Sequence, residues 1–217
     1  MTHIDSIILE GPDPAATSAF YAALGLSAQI RVRASEAATT GFRGFTLSLL
    51  TSQPGNVDLL IGAALEAGAT AIKPAAKSLW GYGGVVEAPD GTILKVATSS
   101  KKDSAPATRA VDDVVLLLGA SDVKASKRFY VERGLAVKRS FGGKYAEFDT
   151  PGSPIKLALY GRRALAKDAG VAPQDAGAPR LLVGGTVGPF TDPDGFAWGQ
   201  PTAQRTAPAT DAVTQPV

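Results

Sequence analysis

The sequence repeats itself. Residues 4–26 read IDSIILEGPDPAATSAFYAALGL and residues 112–135 read DDVVLLLGASDVKASKRFYVERGL, each an apolar strand, a turn with Asp, a helix carrying Phe-Tyr, then Gly-Leu. A Pro-Asp-Gly turn follows in each half, at Pro89-Asp90-Gly91 and at Pro193-Asp194-Gly195. Phe20 and Phe129 are separated by nearly the same interval as Pro89 and Pro193. A duplication of this length constrains the architecture before any single residue is interpreted.

At 217 residues the chain suffices for one compact unit or two small domains. Its 22 Lys and Arg against 20 Asp and Glu leave a net charge of +2, with basic residues scattered rather than gathered on one face. That argues against a nucleic-acid partner, which needs a concentrated basic surface. There is no Cys, which excludes disulfides, thiolate metal sites and cysteine nucleophiles. No apolar run reaches membrane-spanning length, and Asp5 and Glu10 interrupt the first strand. The expected protein is cytoplasmic, with no membrane partner.

Local signals place the elements. Asp13 before Pro14 is a helix start, the carboxylate accepting from free N–H groups and Pro fitting the first helical position. Ala16, Ala19, Phe20 and Ala23 continue an apolar stripe that Gly25 ends. Phe45 to Thr51 is a strand, and Val57, Leu60, Ile61, Ala64 and Leu65 mark a second amphipathic helix closed by Gly68. Short strands follow near Ala71–Lys73, Gly84–Glu87 and Thr92–Ala97. The second half reads βαβββ through Tyr160, then an Ala-, Gly- and Pro-rich stretch over 162–180 that predicts a partly helical excursion. The resulting division is 1–98, a polar linker 99–109, 110–202, and a disordered tail 203–217.

Strand, Pro-Asp, helix with Phe-Tyr, Leu-Gly-Leu, and later Gly-Gly and Asp-Pro-Asp-Gly before a last strand, twice over, resembles the glyoxalase, bleomycin-resistance and extradiol-dioxygenase proteins, the vicinal-oxygen-chelate superfamily. The resemblance runs from about residue 3 to residue 200. It implies an α+β fold of two tandem glyoxalase-like halves, built from βαβββ-type modules as curved mixed sheets around clefts. It also implies a divalent metal held by His on a first strand and by Glu or His on later strands. Those ligand positions fall at Ser6, Lys95, Asp113, Lys156 and Gly199. Lysine ammonium groups cannot ligate a cation, so the expectation is no metal and no other cofactor.

Charge is then the candidate replacement. Lys95 and Lys156 are expected to point into clefts, and Asp113 is placed to pair with Lys156, with solvated residues on an open sheet face as the alternative reading. Trp80 and Tyr82 lie in a Gly-rich segment, Lys77 to Gly84, that suits either a tight turn or a ligand loop. Arg31, Tyr145 and Trp198 complete the cleft candidates, and Glu147 is the best candidate for a general base. Phe20-Tyr21 and Phe129-Tyr130 fit helix-to-sheet packing. The leading functional expectation is metal-free binding of a small organic molecule, a metabolite or an antibiotic. A metal-independent lyase or isomerase using Glu147, Asp113 and Lys95 or Lys156 stands second, and a metal-dependent glyoxalase- or dioxygenase-type enzyme using Glu10, His3 and Glu147 third. A homodimer is left open.

Overall fold

A computed structural model describes residues 3–36, 40–173, 175–176 and 179–200. The expected tail, 203–217, lies outside them. In chain order the elements are β1 (Ile4–Gly11), α1 (Pro14–Ala23), β2 (Ile30–Ala34), β3 (Thr40–Gly41), β4 (Phe45–Leu50), α2 (Pro54–Glu66), β5 (Thr70–Ser78), β6 (Gly81–Glu87) and β7 (Ile93–Thr98). Then come β8 (Asp113–Ala120), α3 (Val123–Glu132), β9 (Ala136–Phe141), β10 (Tyr145–Asp149), β11 (Ile155–Gly161), α4 (Arg162–Ala169), β12 (Asp175–Ala176), β13 (Leu181–Gly185), β14 (Phe190–Thr191) and β15 (Ala197–Gly199).

The helix starts follow the sequence signals. Asp13 Oδ1 accepts from Ala16 N at 2.9 Å with Pro14 at the first position of α1, and Asp122 Oδ1 accepts from Lys124 N and Ala125 N at the start of α3. The 162–180 stretch opens with α4, as its composition predicts, and Gly170 closes it in the left-handed conformation.

The fold is α+β with curved mixed sheets. An eight-stranded sheet runs β5-β6-β7-β4-β8-β11-β10-β9, and a five-stranded sheet runs β14-β15-β13-β1-β2. Strands of each sheet come from both halves of the chain. The module β4-α2-β5-β6-β7 joins β8-α3-β9-β10-β11 through the antiparallel pair β4–β8, whereas β1 takes β13 as its antiparallel neighbour. In both sheets the first strand of one module pairs antiparallel with the first strand of another, and the short stretch between Val32 and Phe45 supplies only the two-residue β3 beyond β2.

The 99–109 segment packs on the start of α2. Gln53 Oε1 accepts from Ser104 N and Ala105 N, its Nε2 donates to Ala105 O, and Asn56 Oδ1 accepts from Thr108 N. Asp103 Oδ1 takes the free Gly55 N–H at 2.7 Å, an end-group bond that the helix itself cannot supply.

One continuous core fills the space between the sheets and α1–α3, with Ile7, Leu9, Leu47, Leu49, Leu94, Leu116, Leu157 and Val183 all at 0% exposure. The repeated Phe-Tyr pairs belong to it, as helix-to-sheet packing predicts. Tyr21 donates to Asp90 at 3.1 Å, and Tyr130 donates to Asp192 at 2.6 Å, so in each half the helix tyrosine ties down the Pro-Asp-Gly turn. Burial pushes both hydroxyls well above the ordinary tyrosine range, and the adjacent carboxylates add to it.

Candidate functional site: a cleft on the eight-stranded sheet

Alternate residues of a strand face opposite sides, so the eight-stranded sheet has two chemically different faces. Leu47, Leu49, Leu94, Val96, Val114, Leu116, Leu157 and Leu159 enter the main core. Their neighbours Thr46, Ser48, Lys95, Ala97, Asp113, Val115, Leu117, Lys156 and Ala158 face the other way, and this second face forms the cleft. Strand pairing aligns part of it in a row: Lys95 is opposite Ser48, Ser48 opposite Val115, and Val115 opposite Lys156. Partners in register share a face.

Helix α4 closes one end. Leu165, Ala166 and Ala169 pack with Phe42, Val85 and Ile93 in a second, smaller apolar cluster on this face. Asp168 then reaches Lys95 Nζ at 2.6 Å, and Lys73 Nζ donates to the carbonyls of Lys167 and Asp168 at the C-terminal end of the helix, where cations are favoured. Lys156 Nζ lies 2.6 Å from Asp113 Oδ2, the pairing expected from the sequence. A cavity of about 470 Å³ remains between β4, β7, β8 and α4, bordered by Ser48, Leu50, Lys95, Asp112, Asp113 and Trp80 among others. A neighbouring cavity of about 430 Å³ under the β5–β6 hairpin shares Trp80, Lys95 and Asp168. Trp80 stands at the tip of that hairpin with 84% of its surface exposed.

The other candidates divide. Tyr82 borders the cavity under the β5–β6 hairpin, while its hydroxyl reaches to the helix side of the sheet and donates to Asp58 of α2 at 2.8 Å. The glycines around it answer to the chain's own backbone. A Cβ on Gly81, at φ +136°, would stand 2.0 Å from the Thr98 carbonyl, and one on Gly83 2.7 Å from that of Val96. Trp198 is buried in an aromatic cluster, stacked on Phe190 and donating to the Tyr130 hydroxyl at 3.1 Å. Ser6 and Gly199 lie in the five-stranded sheet, in one row through Gly184. Ser6 is 1% exposed, and Arg31 is exposed on β2 of that sheet.

Glu147 lies on the cleft face toward the outer edge of the sheet, opposite Ala158 and Arg139. Burial alone would raise its pKa, but hydrogen bonds from Arg139, at 2.6 Å, and Lys138, at 3.1 Å, outweigh burial and lower it. A carboxylate held ionised in this way is a poor proton acceptor near neutrality. Burial, reinforced by the Glu147 charge, pushes the adjacent Tyr145 hydroxyl up to about 12. His3 bridges Asp5, at 2.9 Å, and the Ser153 hydroxyl, at 3.3 Å, and that hydroxyl also accepts from Ile4 N. These contacts tie β1 to the turn before β11.

Sequence reasoning missed Asp168, Asp112 and Ser48. The i, i+1, i+4 spacing of Leu165, Ala166 and Ala169 was the available signal that α4 presents an apolar face. Nothing local indicated which surface that face would cover.

No family model and no curated protein matches the sequence. Solved structures do match. A V278E mutant of glyoxalase I from Zea mays aligns over 91% of this chain and 91% of its own, with a TM-score of 0.57 at 12% identity. Another Zea mays glyoxalase I structure aligns over 85% of this chain and 75% of its own, with a TM-score of 0.57 at 13% identity. A putative dioxygenase from Bacillus subtilis covers 83% of this chain and 69% of its own, with a TM-score of 0.50 at 11% identity. The chain has the vicinal-oxygen-chelate fold. At such low identity the likeness speaks for the fold alone.

The residues at the positions where this fold family holds a metal do not suit one. Lys95 and Lys156 carry ammonium groups already neutralised by Asp168 and Asp113, and Gly199 has no side chain. Among the described residues no group of three or more His, Cys, Asp or Glu side chains gathers closely enough to hold an ion. No helix among them is long and apolar enough to cross a membrane.

Proposed function

We propose that the protein binds a small organic molecule in the cleft of the eight-stranded sheet, without a metal. The observation that carries this reading is the cavity of about 470 Å³ over β4, β7 and β8, with Lys95 in its wall held by Asp168 at 2.6 Å and Asp113 in its wall held by Lys156 at 2.6 Å. A pocket of about 470 Å³ bordered by Leu50, Leu117 and Leu165 together with three carboxylates, Lys95 and several hydroxyls, with an uncovered indole at its edge, has the size of a small-molecule site. The ion pairing of Glu147 weighs against acid–base catalysis. Retention of a ligand, rather than its conversion, is the reading that the residues favour. The ligand class named at the outset, a metabolite or an antibiotic, stands as part of this proposal, in the cytoplasm and with no nucleic-acid or membrane partner.

Elemental analysis of the purified protein together with a thermal-shift screen of metabolites and aromatic antibiotics tests it. The expected result is substoichiometric Ni, Zn, Fe and Mn, no isomerisation of glutathione hemithioacetal, and stabilisation by at least one organic compound that is lost in Trp80→Ala. Close to one tightly held transition metal per chain, retained through dialysis against chelator, would overturn the reading.

A further inference from the structure

We propose that the cleft selects organic cations, compounds joining a planar or apolar body to an ammonium or other delocalised positive group. The inference rests on the binding reading above and adds the sign of the ligand's charge. Three carboxylates, Asp112, Asp113 and Asp168, border the larger cavity against the single ammonium of Lys95. Lys95 is committed to Asp168, and Asp113 is balanced by Lys156, which itself does not border the cavity. Asp112 is exposed and makes no ion pair among the described residues. The larger cavity therefore holds a net negative charge, and Lys73 and Lys77 border only the neighbouring cavity that shares Trp80.

The remaining polar wall consists of hydroxyls such as Thr46 and Ser48, which can accept from a donor-rich ligand. Trp80 supplies the other half of the recognition. An indole face attracts cations through its quadrupole more strongly than any other side chain, and this one is packed against little of the protein. A positively charged ring lying on Trp80 with its nitrogen toward Asp112 satisfies both features at once.

The two tryptophans make the test direct, because Trp80 is exposed and Trp198 is 2% exposed, so quenching of the solvent-exposed emission reports on the cleft. The full chain is titrated with proflavine, a planar cation at neutral pH, and in parallel with the anion 1-anilinonaphthalene-8-sulfonate. Proflavine is expected to quench Trp80 at lower concentration than the anion, with an affinity that falls as salt rises. Trp80→Ala, followed through the emission of proflavine itself because the variant lacks the indole reporter, should weaken binding roughly tenfold. Asp112→Asn, at an exposed position, should weaken it a few-fold. Lys95→Met should strengthen proflavine binding, because it releases Asp168 from its partner. An anion-selective cleft would show the opposite ranking and lose affinity in Lys95→Met, which would overturn the charge assignment while leaving small-molecule binding intact. Failure of both probes to quench Trp80 would overturn the cleft reading itself.

Discussion

Lys95 and Lys156 occupy equivalent places in one row of the eight-stranded sheet, each one strand outside the antiparallel pair Ser48–Val115. One comes from the third strand after α2 and the other from the third after α3. The two βαβββ modules thus put the same residue type at the same place, and each lysine finds an aspartate 2.6 Å away. The aspartates are not equivalent: Asp113 begins β8, whereas Asp168 arrives on α4. The pseudo-symmetry of the sheet extends to its cations and stops at their partners.

The Lys156–Asp113 pair can be measured by a double-mutant cycle. Its side chains are 40% and 36% exposed, so solvent screens the interaction and the coupling between Lys156→Met and Asp113→Asn should be at most about 1 kcal/mol. Urea denaturation of the wild type, both single variants and the double variant checks this. A coupling of several kcal/mol would mean that the pair is shielded from water, contrary to its exposure.

Tyr130 is expected to matter far more. Its hydroxyl joins Asp192 to Trp198 Nε1 inside the core, so Tyr130→Phe leaves a buried carboxylate and a buried indole N–H each one bond short. The loss should be about 2 kcal/mol, set mainly by the groups left behind. Thermal or urea unfolding measures it, and a loss below half that value would mean that water replaces the hydroxyl.

Glu147 confers a defined pH dependence. Its pKa is lowered in the folded protein from an ordinary value near 4.5. The stabilisation is therefore fully present above that value and is lost as pH falls through the folded-state pKa. At pH 7, Glu147→Gln should cost about 1 kcal/mol, discounted because Lys138 and Arg139 are more than half exposed. Urea titrations at pH 7 and at pH 3 should show that gap shrinking in acid; a gap that stays constant would contradict the assignment.

Gly81→Ala should be among the most damaging small substitutions. The left-handed side of φ and the 2.0 Å approach to the Thr98 carbonyl leave no room for a methyl group without moving β6 away from β7. A loss of roughly 2 kcal/mol or more is expected, with weakened ligand binding because Trp80 moves with the hairpin. Unchanged stability and affinity would show that the hairpin is free to readjust.

The duplicated strand-helix signal determined the α+β class, the start residues of α1 and α3, and the packing role of Tyr21 and Tyr130. These depend on local periodicity, capping chemistry and a repeat that survives in the letters. The sequence also determined that lysine stands where metal ligands were expected, because residue identity needs no coordinates, and it brought Asp113 and Lys156 together through the neighbouring strands of one module. Only the tertiary structure decided that the sheets draw on both halves, since strand pairing depends on which edges remain unsatisfied across more than a hundred residues of chain. For the same reason only the structure put Lys95 and Lys156 in one row of a single sheet, turned Tyr82 toward Asp58 and buried Trp198 against Tyr130. The approach of Asp168 to Lys95 was beyond sequence reasoning altogether. It depends on α4 folding back over the sheet, and the apolar stripe that drives this marks a face to be buried without specifying its partner.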